Sequence, residues 1–174
     1  TGAAPEYRLS SKLLSSLDKA VDMAEQCGLY IIIDNHSYLG GKFPAQYGEE
    51  QLIAVWRQIA ARYKSRSDKV IYELQNEPGG SYMEENWYRI QNNFLAAIRS
   101  QDVKHTCIVT SVGCHIEALK DIPVFEDKNL LYTFHFYTPY LFTHQGSTWA
   151  EPAMASFGGV PYPYSEAKMP DMPT

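Results

Sequence analysis

From Ser10 to Phe136 the chain alternates, without interruption, between stretches of helical period and short runs rich in β-branched residues. Apolar residues recur at Leu13, Leu14, Leu17, Val21 and Ala24, with Ser10 placed to cap the start and Gly28 to stop the run, so a helix is predicted over 10–26. The run Tyr30 to Asp34 follows as a strand, then a loop through Gly40 and Gly41. A second helix is predicted over 49–66, with Leu52, Val55, Trp56, Ile59, Ala60 and Tyr63 on one stripe. Val70 to Gln75 reads as a strand, and 84–100 as a helix carrying Trp87, Ile90, Phe94, Leu95 and Ile98 at helical spacing. Cys107 to Val112 is a further strand, 115–120 a short helix, and Leu130 to Phe136 a fourth strand. Such alternation means parallel βα units, because parallel neighbours need a crossover and helices supply it.

Three of these strands stop abruptly on polar chemistry. Tyr30 to Ile33 ends in Asp34-Asn35-His36, Val70 to Gln75 leads into Asn76-Glu77-Pro78, and the last strand ends in His135-Phe136-Tyr137. In parallel α/β folds the carboxyl ends of the strands and the loops beyond them form the ligand site. A period of two sends Tyr72, Leu74 and Asn76 to one face and Glu73, Gln75 and Glu77 to the other, a polar row unusual for a strand. Glu77, between an amide and a rigid proline, suits a fixed carboxyl group, and Asn-Glu-Pro is also ordinary turn chemistry. His36 suits a ligand hydrogen bond, a metal, or burial against Asp34 on the same face. His135 and Tyr137 share a strand face, either as an imidazole and phenol aimed at one space or as core aromatics. Glu73 and Gln75 lie deeper and fit a satisfied polar network.

Net charge is −5 and the basic residues are scattered, which argues against a nucleic-acid partner and suits a neutral ligand. The longest apolar stretch, near Leu29 to Ile33, is far too short for a bilayer, so no membrane partner is expected. No signal-peptide series is visible, and a chain that opens on Thr1 has lost its original start, so it says nothing of export. Cys27, Cys107 and Cys114 have neither zinc-site spacing nor disulfide density and read as free thiols.

Past Tyr137 the pattern changes. Pro139, Pro152, Pro161, Pro163, Pro170 and Pro173 fall in this tail among several aromatics, with no sustained apolar period. Residues 1–137 are expected to hold the βα units, and 138–174 a long loop leading toward an absent strand. Tyr137, Tyr140, Phe142, Trp149, Phe157 and Tyr162 offer flat rings suited to sugar faces or to plain loop packing, and Trp149 is the ring singled out for stacking.

Ile31-Ile32-Ile33-Asp34-Asn35-His36, Tyr72-Glu73-Leu74-Gln75-Asn76-Glu77-Pro78 and Phe134-His135-Phe136-Tyr137, in that order and spacing, resemble the family 5 glycoside hydrolases, the cellulase-like (β/α)8 barrels. Phe142-Thr143-His144-Gln145-Gly146 and Gly159-Val160-Pro161-Tyr162-Pro163 resemble the loop after the sixth strand of bacterial members, and the likeness runs from about Leu9 to Tyr164. It implies a (β/α)8 TIM barrel present as roughly half a barrel, four parallel strands with helices, matching strands three to six. It implies a retaining endo-β-1,4-glucanase in which Glu77 is the acid/base and Asn76 holds the sugar 2-hydroxyl. His36 and His135 line the subsite, and Tyr137 steadies the nucleophile.

The same resemblance puts the nucleophile at the end of a seventh strand. Glu151 and Glu166 are the only glutamates in the tail and neither closes an apolar strand, so the nucleophile is expected elsewhere and the chain alone is expected to be inactive. No cofactor or metal is expected. The expected partners are a β-glucan polysaccharide and the remainder of the barrel, and the resemblance implies a secreted or periplasmic location. A β-mannanase or another β-glycanase of the family is an alternative. Rival classes are a metal-dependent barrel hydrolase using Asp34, His36, His115 and His135, and a non-catalytic sugar-binding module.

Overall fold

The computed structural model describes residues 2–36, 45–150, 152–163 and 165–169, and the Gly40-Gly41 loop lies outside them. The chain divides into two compact units, Thr1–Phe134 and His135–Thr174. The first unit begins with α1 (Ser11–Gln26), capped as expected: the Ser10 hydroxyl accepts from the Leu13 amide, and Gly28 beyond the last turn takes φ +67°. Then come β1 (Ile31–Asp34), α2 (Ala45–Tyr63), β2 (Val70–Glu73), α3 (Ser81–Arg99), β3 (Thr106–His115), a 3-10 helix (Ile116–Asp121) and β4 (Leu130–His135). The sheet has the order β1-β2-β3-β4, with four parallel strands. Ile33 pairs with Tyr72, and Tyr72 with Cys107.

That register fixes the two faces of the sheet. Ile33, Val70, Tyr72, Leu74, Cys107 and Val109 pack against Leu52, Trp56, Ile59, Ala60 and Tyr63 of α2 and Met83, Trp87, Ile90, Phe94, Leu95 and Ile98 of α3. Every one of these side chains is buried, and each large one contributes about 1.5–3 kcal/mol. Asp34 and Glu73 stand opposite one another on the other face. The stripes of α2 and α3 are therefore those the spacing gives, except that Val55 is only half-buried; of the α1 stripe only Val21 is buried, Leu14, Leu17 and Ala24 being half-buried and Leu13 51% exposed.

Several boundaries differ from the expectation. α2 begins and ends earlier than 49–66, and α3 begins at Ser81, directly after Gly80 with φ +90°. β2 stops at Glu73 instead of Gln75, β4 at His135 instead of Phe136, and the short helix after β3 is of the tight 3-10 type. β3 runs to His115, past the expected Val112, through two left-handed residues, Gly113 (φ +62°) and Cys114 (φ +58°). It outruns β2, and side chains serve its backbone instead: Gln91 accepts from the Thr110 amide (2.8 Å), and Trp87 and Gln91 donate to the Thr110 carbonyl (2.8 and 3.2 Å).

Under the amino ends of the strands lies a buried polar cluster that the sequence reading missed. Asp102 accepts from the Lys104 and His105 amides, the Tyr72 hydroxyl (2.8 Å) and the His105 ring (2.6 Å), and the His105 ring also meets the Ser67 carbonyl. Burial opposes the Asp102 charge, but these donors prevail and its carboxyl is held below the ordinary range. Burial drives the Tyr72 hydroxyl far up.

The second unit is not the bare loop expected over 138–174. It contains α4 (Tyr140–Thr143) and 3-10 helices at Pro152–Ser156 and Glu166–Lys168. Met154, Phe157 and Val160 form its own small core with Leu141, Phe142 and Met169. Helices this short leave no readable period in a sequence.

Candidate active site

In the first unit the β1–β2 ladder continues one step past the strands: the Asn35 amide donates to the Glu73 carbonyl (3.2 Å) and the Asn76 amide to the Asn35 carbonyl (3.1 Å). Asn35 Nδ2 donates to Gln75 Oε1 (2.8 Å), and Gln75 Nε2 to the Asn76 carbonyl (3.1 Å). Gln75 is thus a satisfied buried amide, in the network expected of it. The two strand-end segments are fastened side by side.

His36 Nδ1 lies 2.7 Å from Asp34 Oδ2, so Nδ1–H donates to the carboxylate and Nε2 is left as the acceptor facing Asn76 Nδ2, at 3.4 Å. The pairing with Asp34 is as the spacing suggested. Burial is not, since the His36 side chain is 68% exposed. Asn76, only 8% exposed, has its amide group on the imidazole of β1's end.

Glu77 is half-buried at the carboxyl end of β2, with φ +41°. A non-glycine residue in this region breaks the extended path, so the strict alternation expected through Asn76 and Glu77 ends at Glu73. Pro78 has no amide to continue the ladder. Its carbonyl instead accepts from Gly113 of β3 at 2.6 Å. Trp56 of α2 donates to the Leu74 carbonyl (3.1 Å), bracing the same segment from the helix side.

The most enclosed carboxylates are not here. Glu49 on α2 is met by Arg89 (2.8 Å), Asn93 (2.8 Å) and Tyr82 (3.2 Å), which outweigh burial and lower its pKa. Glu49 and Asp102, saturated by donors, tie helices and strands together; Glu77 stands at the rim.

In the second unit Tyr137 Oη lies 3.3 Å from His135 Nδ1, so these two residues do come together, although β4 stops before Tyr137. His144, which the sequence reading quoted only within a family-like loop and gave no role, joins them. Tyr140 stacks on its ring at 3.9 Å, and Tyr137 and Trp149 meet it edge-on at 5.2 and 5.3 Å. Its spacing of four from Tyr140 was the available signal. His144 is buried, while Trp149 is 77% exposed, a platform with one open side. Glu166 opens a three-residue 3-10 helix, and Glu151 lies outside the described residues.

Among the described residues no three His, Cys, Asp or Glu side chains gather to hold a metal. His115 ends β3 with an exposed ring beside Gly113. The cysteines are unbridged, Cys27 exposed and the other two buried.

The family model of the cellulases, glycosyl hydrolase family 5, matches residues 1–164. Endoglucanase 3 of Fibrobacter succinogenes is 30% identical over 161 residues, covering 87% of this chain and 24% of that protein. Endoglucanase C of Acetivibrio thermocellus is 28% identical over 165 residues, covering 86% of this chain and 46% of that one. The crystal structure of an endoglucanase from the hyperthermophilic Thermotoga maritima superposes with a TM-score of 0.80 at 35% identity, over 86% of this chain and 49% of that chain. That enzyme has also been solved with mannotriose and with cellobiose. The chain spans half or less of the length of these relatives.

Proposed function

The chain belongs to the cellulase family, glycosyl hydrolase family 5, and from that premise we propose that it carries the acid/base portion of a retaining endo-β-1,4-glucanase active site. The observation that supports this most directly is Glu77: half-buried, at the carboxyl end of β2, on a backbone bent to φ +41°, beside an Asn76 fastened to β1. In the first step the Glu77 carboxyl gives its proton to the glycosidic oxygen while a second carboxylate attacks the anomeric carbon, and the carbon–oxygen bond breaks. In the second, Glu77 as carboxylate takes a proton from water as that water displaces the enzyme carboxylate, restoring both groups.

The second carboxylate belongs about 5–5.5 Å away. We place it in the part of the relatives' length that this chain does not span, and expect the 174-residue chain by itself to be inactive. Asn76 and His36 serve the sugar bound at this rim of the first unit; within the second unit His135, Tyr137 and Trp149 offer a polar and aromatic surface suited to a saccharide. Cellobiose and mannotriose bound to the Thermotoga relative favour β-1,4-linked glucans and mannans as the substrate class. A polymer of that size does not enter cells, which suits a secreted or periplasmic enzyme.

The test uses the complete protein containing this chain. It is expected to cleave carboxymethylcellulose with retention of anomeric configuration, read by proton NMR, and Glu77→Ala is expected to lower kcat/KM about 10²- to 10⁴-fold. Unchanged cleavage by Glu77→Ala, inversion, or activity of the 174-residue chain alone would each overturn part of this reading. Saccharide affinity without turnover in the complete protein would instead favour a binding module, which the open Trp149 platform suits.

A further inference from the structure

Glu77 has a left-handed backbone, φ +41°, which a glutamate keeps only where its surroundings hold it there. A hydrogen bond on each side does so. Before Glu77, the Asn76 carbonyl accepts from Gln75 Nε2 at 3.1 Å, which fixes the peptide plane leading into it. After it, the Pro78 carbonyl accepts from the Gly113 amide at 2.6 Å. The Pro78 ring locks its own φ, so between the two held carbonyls only the φ and ψ of Glu77 and the ψ of Pro78 can turn. Pinning both ends sets the direction of the Glu77 Cα–Cβ bond.

One pin is backbone. Gly113 takes φ +62°, and a Cβ there would sit 2.7 Å from the His115 ring. The other pin is a side chain with a single arrangement open to it. A carbonyl only accepts, so Gln75 presents Nε2 to Asn76 and turns Oε1 to Asn35, whose Nδ2 donates to it at 2.8 Å. Asn35 is itself tied into the ladder, its amide donating to the Glu73 carbonyl (3.2 Å) and its carbonyl accepting from the Asn76 amide (3.1 Å). Gln75 is only 6% exposed, so water does not compete for either bond. Its amide therefore bridges from the end of β1 to the peptide that precedes the acid/base.

We propose that Gln75 is a positioning residue for the acid/base: by holding the Asn76 carbonyl against Asn35, its amide sets the direction from which the Glu77 carboxyl meets the leaving oxygen. This rests on the acid/base reading of Glu77. Nothing in it requires Gln75 to touch the sugar.

The test compares two substrates in the complete protein. Dinitrophenyl β-cellobioside loses its leaving group without protonation, and phenyl β-cellobioside needs the acid. Gln75→Met keeps the length of the side chain and deletes its donor and acceptor, and is expected to lower kcat/KM for the phenyl substrate about 10- to 100-fold. The dinitrophenyl substrate is expected to lose under about threefold. Asn35→Ala, which leaves the Gln75 amide in place but unheld, is expected to give the same split with a smaller loss, and it decides the matter should Gln75→Met not fold. The double variant is expected to lose no more than Gln75→Met alone, since both changes release one carbonyl. Equal losses on both substrates would show that Gln75 merely builds the fold, and full activity of Gln75→Met on the phenyl substrate would show that it does nothing for the acid. Glu77→Ala separates the two readings: without the leaving-group split it removes the acid/base assignment and this proposal with it. With the split in Glu77→Ala but none in the Gln75 and Asn35 variants, the positioning role alone is wrong.

Discussion

At the scale of single residues, two tryptophans make opposite predictions. Trp149 is 77% exposed and touches the His144 ring edge-on, so little of its area is available to stabilise the fold. Trp149→Ala is expected to change stability by under about 0.5 kcal/mol. It is expected to raise KM for cello-oligosaccharides about tenfold, the worth of one aromatic stack, with kcat nearly constant. Trp87 is buried, its indole donating to the Thr110 carbonyl, and Trp87→Ala is expected to cost about 3–5 kcal/mol by urea unfolding. A KM effect from Trp149→Ala that came with an equal loss of stability would make that ring part of the fold. The helical spacing marked Trp87 correctly as part of the buried stripe of α3. The sequence also placed His36 beside Asp34, because two residues along an extended chain share a face. It could not show that His36 stays exposed or that His144 joins Tyr140 and Trp149, since both depend on what the rest of the chain packs against.

At the scale of elements, β3 shows where local reading stops. The β-branched run Cys107 to Val112 announces a strand, and Gly113 is the natural place to end it. The strand continues because α3 satisfies its backbone through Gln91 and Trp87, and because the Asn76-Glu77-Pro78 loop takes the Gly113 amide. Those partners are 19 and more residues away in sequence, beyond the reach of propensity. Gln91→Leu keeps the volume but leaves the buried Thr110 amide without its acceptor, so a loss of about 1–3 kcal/mol is expected in urea unfolding. Unchanged stability would mean that the Thr110 amide finds another partner and that Gln91 does not hold β3. Helix positions, by contrast, were legible to within a few residues because their stripes are long, whereas the four-residue α4 is shorter than two turns and carries no period.

At the scale of the whole molecule, charge and edges set the behaviour. Asp18, whose carboxyl the Arg62 guanidinium holds down to about 2, and Glu49, Asp102 and Asp127, each held low by donors that outweigh burial, bind protons less readily when folded. The stability they lend is complete above about pH 4, the range of free carboxylates, and is lost as pH falls through their folded values. The urea midpoint of the complete protein should therefore stay level from neutral down to about pH 4 and then decline, less steeply in Asp102→Asn than in the parent. A midpoint that falls equally steeply in both would remove Asp102 from that account. Among the described residues the sheet order leaves β1 and β4 with one neighbour each, and Ile32 and Tyr132 are both 50% exposed. Beside β1 an apolar groove is lined by Leu9, Leu13, Leu17, Ile32 and Val55. Open parallel edges next to apolar surface recruit other chains, and relatives of twice this length have further chain to cover them. The 174-residue chain expressed alone is therefore expected to self-associate, with light scattering well above its 19.8 kDa, and to become more soluble when the rest of the protein is supplied in trans. A monodisperse 19.8 kDa species with a single cooperative unfolding transition would show that these four strands close their own surface.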